Sequence, residues 1–101
     1  MQVGGQAVEF DKDGFMVHPT AWNEQVAAAI AGDEGVTLSE AHWKIVNFIR
    51  GYWKDHDLAP PVRLICKECG TSVREIYRLF TTGPARGACR IAGLPKPDGC
   101  V

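Results

Sequence analysis

One stretch constrains the fold of this chain more than any other. Residues 38–54 carry its strongest helical pattern, with Leu38, Ala41, Ile45, Phe48 or Ile49, and Tyr52 at three-to-four spacing. Thr37-x-x-Glu40 in front of it reads as a capping box, in which hydroxyl and carboxylate each take a backbone N–H at the helix start. Pro60-Pro61 closes the loop that follows. A helix with one apolar face must bury it, so the rest of the chain has to supply the layer against which it packs. At 101 residues there is room for one such core, hence one domain.

The flanking segments read as short elements. Asp13-Gly14 between alternating apolar positions predicts a β-hairpin over residues 6–17. Pro19 opens a predicted helix to about residue 31, with Gly32 as its stop and Trp22, Val26, Ala29 and Ile30 on one face. A helix over 62–69 stops at Gly70. Ser72-x-x-Glu75 opens another, with Ile76, Leu79 and Phe80 apolar, and Gly83-Pro84 breaks it. A single turn at 84–88 is allowed. Beyond it, two prolines and two glycines speak against regular helix, and residues 89–101 read as an arm. The expected fold is mainly α: a small helical bundle with an N-terminal β-hairpin, a helix-turn-helix-like pair and a flexible C-terminal arm. The body is residues 1–88 and the mobile arm 89–101, within a single domain.

Composition excludes several classes. With 46 % hydrophobic and 23 % charged residues the chain is too apolar for disorder. No apolar run approaches the roughly 20 residues of a membrane span, and no N-terminal signal pattern is visible, so a soluble cytoplasmic protein is expected. The net charge of −1 hides an asymmetry. Residues 1–60 carry nine acids and four bases, whereas residues 61–101 carry seven bases and three acids. A basic half attracts anions, nucleic acid or an acidic partner, unless it is simply a solvated face.

Four cysteines remain to be placed. Cys89 and Cys100 have ten residues between them, and Cys100 is penultimate. A thiol at a chain end gains little packing, but can enter another protein's cavity. An extended arm of about 11 residues reaches at most roughly 36 Å. Bent at Gly93, Pro95, Pro97 and Gly99, it could also bring Cys100 back to Cys89 for thiol exchange. Arg86, Arg90 and Lys96 are expected to favour the thiolate. Cys66-x-x-Cys69 is half a zinc site, a dithiol, or two packed small residues. The ten-residue second gap is unlike a zinc ribbon, no βαβ context surrounds the pair, and packing is the expectation.

Two further features are weaker. The pair of helices over 62–80, with Arg63, Lys67, Arg74 and Arg78, resembles a helix-turn-helix, but a pI near 6.3 is low for a DNA-binding domain. His18, His42 and His56 lack ligand spacing, and no metal site is expected. Trp43 and Trp53 are expected in the core or at its rim.

The run of residues 83–101, ending Lys96-Pro97-Asp98-Gly99-Cys100-Val101, resembles the C-terminal arm of the DsrC/TusE family, which includes the gamma subunit of dissimilatory sulfite reductase. The segment 10–15 around Asp13-Gly14, Trp22, the stretch 40–44, Ala59-Pro60-Pro61-Val62-Arg63 and the stretch 76–80 extend the resemblance over nearly the whole chain. It implies a sulfur carrier that acts as a protein co-substrate rather than an enzyme. Cys100 would accept sulfur and Cys89 would close on it as a trisulfide or disulfide. Arg86, Arg90, Lys96 and Arg63 would meet the partner or an anion. The chain itself would bind no cofactor, siroheme being held by the reductase. The implied partners are the catalytic subunits of dissimilatory sulfite reductase, a membrane-bound Dsr reductase complex and sulfur-relay proteins; nucleic acid is not expected. Two arm cysteines favour the DsrC pattern over TusE, a relay for tRNA thiolation, which keeps only the penultimate one. Asp98 replaces a usual threonine and would raise the pKa of Cys100. The remaining alternatives are the TusE-like relay, a helix-turn-helix DNA-binding regulator, and a zinc-stabilised module.

Overall fold

The computed structural model describes residues 2–3 and 5–95, with backbone alone for Gln2 and residues 84–86. Strands β1 (Gln2–Val3) and β2 (Gln6–Ala7) pair antiparallel, with Gln2 opposite Ala7 and Val3 opposite Gln6. The expected hairpin over 6–17 takes a reduced form. Phe10 and Met16 make a single bridge, while the Asp11 carboxylate accepts the N–H of Asp13 and of Phe15, both at 2.9 Å. That side-chain turn replaces the ladder a two-residue Asp-Gly loop would close, and the regular pairing falls one turn earlier in the chain.

A 3-10 turn spans Pro19–Ala21, and α1 spans Glu24–Asp33. The single helix expected from Pro19 is split because Asn23 adopts extended backbone and caps α1, accepting from the Val26 N–H at 2.9 Å. Helix α2 spans Glu40–His56. Its cap is Ser39, not Thr37, and the reciprocating residue is His42 rather than Glu40. The buried stripe is His42, Ile45, Val46, Ile49 and Arg50, turned by about one residue from the expected face, so that Ala41 is exposed. Helix α3 spans Val62–Cys69, as the prolines before it and Gly70 after it predict. Helix α4 spans Val73–Leu79. Ser72 accepts the Glu75 N–H at 3.2 Å, but the Glu75 carboxylate turns to Arg78, leaving the expected capping box half made.

After Phe80 the chain forms a π-helical segment, Pro84–Cys89, followed by a last turn to residue 94. Helix α2 packs against both α3 and this segment. The core joins Phe15 and Met16, the inner faces of α1 to α4, and Ala88, Cys89, Ile91, Ala92 and Leu94, each no more than 2 % exposed in that last group. The boundary expected between residues 88 and 89 therefore does not coincide with a break in packing: residues 89–94 belong to the body. Among the described residues no helix is long and apolar enough to cross a membrane.

Candidate functional site

The site is built on the turn that follows α4. Gly87 passes so close to Phe80 that a β-carbon there would lie 2.9 Å from the Phe80 Cβ and 3.0 Å from the Thr82 hydroxyl. This approach brings Cys89 under α2. The helix then ends in a Schellman motif, the Leu94 N–H bonding the Cys89 carbonyl at 3.2 Å and the Gly93 N–H the Arg90 carbonyl at 3.0 Å. Gly93, at φ +75°, supplies the left-handed residue this requires. The last two carbonyls of the helix are taken by side chains. The Trp22 indole N–H donates to Ile91 O at 2.8 Å, and Arg50 Nη1 donates to Ala92 O at 2.9 Å. All four orphan carbonyls of this terminus are thereby satisfied.

Cys89, the first residue of this motif, is 2 % exposed. Burial pushes its thiol from an ordinary 9.0 up to about 12. This corrects the expectation that neighbouring cations lower it: desolvation dominates, because a thiolate in an apolar shell loses its hydration. Arg90 is adjacent in sequence but points away. Its Nε donates to Gly14 O at 2.6 Å, and its Nη atoms reach Glu34 at 2.9 Å and Asp33 at 3.3 Å. Thr82 donates to the other Glu34 oxygen at 2.7 Å. Arg90 thus ties the tail-side turn to the 11–16 loop and to the end of α1, rather than standing ready for a partner.

The other expected site residues lie apart. Arg63 is exposed on the first turn of α3. Cys100 and Lys96, with Asp98, fall outside the described residues, as does the side chain of Arg86. Cys69 is buried against α2, its thiol directed at the Lys44 carbonyl at 3.9 Å, and burial raises its pKa, Lys44 opposing. Cys66, half buried on the same helix, packs against the core as expected. Among the described residues no group of three His, Cys, Asp or Glu side chains converges as a metal would need.

Arg50 is the residue the sequence did not reveal. It is 7 % exposed, and its guanidinium lies 4.4 Å from the Trp22 ring centre and 5.6 Å from that of Trp53. Besides Ala92 O it reaches Gly93 O at 3.5 Å and, through Nη2, Pro19 O at 2.7 Å. Burial lowers its pKa from the usual arginine value, yet a guanidinium keeps its proton even so. Trp22, Arg50, Trp53 and Lys54 also line an open cleft of about 690 Å³ beside the clamp. A cation on a helix that otherwise reads as core-facing was the available signal, but its partners are carbonyls more than 30 residues away.

The model of the DsrC like protein family matches residues 2–101. The chain is 41 % identical over 98 residues to the sulfite reductase, dissimilatory-type subunit gamma, of Nitratidesulfovibrio vulgaris, covering 96 % of this chain and 93 % of that one. It is 40 % identical over 109 aligned residues to the sulfurtransferase TusE of Sodalis glossinidius, covering all of both. The crystal structure of the oxidised gamma-subunit of the dissimilatory sulfite reductase (DsrC) from Archaeoglobus fulgidus superposes with a TM-score of 0.94 at 43 % identity, over 100 % of this chain and 98 % of that one. The chain belongs to the DsrC-like family, whose relatives carry the names of a sulfite reductase subunit and of a sulfurtransferase.

Proposed function

We propose that this chain is a cytoplasmic sulfur carrier and protein co-substrate of a dissimilatory sulfite reductase, with Cys100 as acceptor and Cys89 as the closing thiol. The observation that carries this reading is the pairing of a penultimate Cys100 with a second thiol, Cys89, that the fold keeps protonated and shielded eleven residues upstream. A shielded thiol does not react with bulk oxidants, and so remains reduced until its own arm returns to it.

The chemistry closes without a further oxidant when the transferred sulfur arrives at the +2 level. Sulfur bearing two hydroxyls condenses with the Cys100 thiol and loses one water, leaving a hydroxyl on the added sulfur. The Cys89 thiol displaces that hydroxyl as a second water, giving a trisulfide. Four electrons and four protons from a reductase partner then release hydrogen sulfide and restore both thiols. Siroheme would belong to the partner reductase. The basic side chains of Arg63, Arg86 and Lys96 would steer the arm toward its anionic cavity.

The TusE-like relay is the second reading, favoured by the full-length match to the Sodalis protein. It needs a persulfide on Cys100 alone. Turnover of sulfite by a dissimilatory sulfite reductase with this chain, followed by peptide mass mapping, separates the two. A carrier gives a wild-type product heavier by one sulfur less two hydrogens, bridging Cys89 and Cys100, and Cys89→Ser abolishes the bridge. A wild-type product with a persulfide on Cys100 and no bridge would favour the relay.

A further inference from the structure

We propose that Arg50, with Trp22, is the positioning residue that holds the turn of residues 90–94 closed over Cys89 and so sets when that thiol can react. The significance for sulfur transfer rests on the reading above; the clamp itself does not. Among the described residues, backbone bonds at this helix terminus satisfy only the carbonyls of Cys89 and Arg90. The carbonyls of Ile91 and Ala92 depend on the Trp22 indole and the Arg50 guanidinium.

Several observations mark this as a dedicated clamp. Arg50 is a nearly fully buried cation hydrogen-bonded only to carbonyls among the described residues. A charge is costly to bury without a carboxylate, and two indole faces together with three carbonyl dipoles are what offset that cost. The same guanidinium joins Pro19 O, in the 3-10 turn, to Ala92 O and Gly93 O, so one side chain ties that turn to the turn of residues 90–94 beside Cys89. Cys89, Ile91, Ala92 and Leu94 are each no more than 2 % exposed, and lifting the turn would uncover them together. A docking partner that offered Arg50 a carboxylate, or the cleft an anion, would compete with the carbonyls and open the turn.

The test uses the reduced full-length chain, pulsed with iodoacetamide, with peptide mass mapping of each cysteine. Cys69 is the internal control, being buried in the same core with its thiol directed at Lys44 O rather than at a clamp residue. Losing charge-assisted bonds to buried carbonyls is expected to raise Cys89 labelling about tenfold or more in Arg50→Gln. Cys69 labelling should stay near wild type, and Arg50→Lys should fall between. Trp22→Phe, which keeps a ring and loses only the N–H, should raise Cys89 labelling about fivefold. The proposal is overturned if Cys89 labelling is unchanged, or if Cys89 and Cys69 rise by the same factor, as global destabilisation would cause. Should Arg50→Gln fail to fold, Trp22→Phe is decided by the same comparison. Because labelling requires no sulfur transfer, the clamp can stand while the carrier reading fails, and the reverse.

Discussion

Gly93 lies against the Trp22 indole so closely that a β-carbon on it would stand 2.2 Å from Trp22 Cδ1. Two constraints thus meet at one residue, since Gly93 also holds φ +75°. Gly93→Ala must push the indole aside, break its bond to Ile91 O, and hold a left-handed alanine. The expected loss is about 2–4 kcal/mol of unfolding free energy, read from urea midpoints. A midpoint equal to wild type would show that Trp22 is free to yield and that the clamp is looser than its distances indicate.

Arg90 is expected to matter for stability. Its bonds to Gly14 O, Glu34 and Asp33 lock the last helix to the 11–16 loop and to α1. Glu34 is only 6 % exposed at its side chain, so Arg90→Met strands a shielded carboxylate beside Thr82. The loss should be about 2–3 kcal/mol, and a double-mutant cycle with Glu34→Gln should recover a large part of it as coupling. Additive losses in that cycle would mean that the Glu34 contact contributes nothing.

The parts legible in the sequence are those fixed by neighbours along the chain. Helix α3 begins after Pro60-Pro61 and ends at Gly70 because both signals are local. The cap of α2 falls at Ser39 rather than at Thr37 because Ser39 pairs with His42, and His42 is oriented by a carbonyl 37 residues away. The last helical turn carries a local signal that the expected arm overrides: Gly93-Leu94-Pro95 is the glycine, apolar residue and proline of a Schellman ending, masked by the general objection to helix in a proline- and glycine-rich tail. The partners of Arg50 and the depth of Cys89 have no local signal, since the former lie at residues 19, 92 and 93 and the latter depends on how the chain packs. The family resemblance singles out both thiols, yet gives no warning that Cys89 is buried.

His42 links the start of α2 to the end of α4. Its Nδ1 accepts the Ser39 N–H at 3.1 Å, which fixes the proton on Nε2, and Nε2 donates to Leu79 O at 2.8 Å. The ring also meets Phe80 edge-on at 5.1 Å. His42→Ala leaves a backbone donor and a backbone acceptor without partners, and should cost about 2–3 kcal/mol. Ser39→Ala, which keeps the backbone bond, should cost about 1 kcal/mol. Equal losses in the two variants would place the contribution in the cap and not in the link to α4.

Stability at alkaline pH should report directly on Cys89. The unfolded thiol ionises near its ordinary 9.0, whereas the folded one keeps its proton up to about 12. In that interval the folded chain binds a proton that the unfolded chain has released, so the unfolded state is the one favoured as pH rises. The stabilisation linked to this thiol is complete below pH about 9 and declines from there toward 12. At about 1.4 kcal/mol for each pH unit, the loss by pH ~10.5 is about 2 kcal/mol. Tyrosines and lysines titrate in the same range, so the measurement is the difference between wild type and Cys89→Ala. Urea midpoints for the two proteins at neutral pH and at pH ~10.5 should converge, because alanine removes the linkage along with the thiol. Curves that run parallel would mean that Cys89 ionises in the folded chain as readily as in the unfolded one, and that the turn over it is already open.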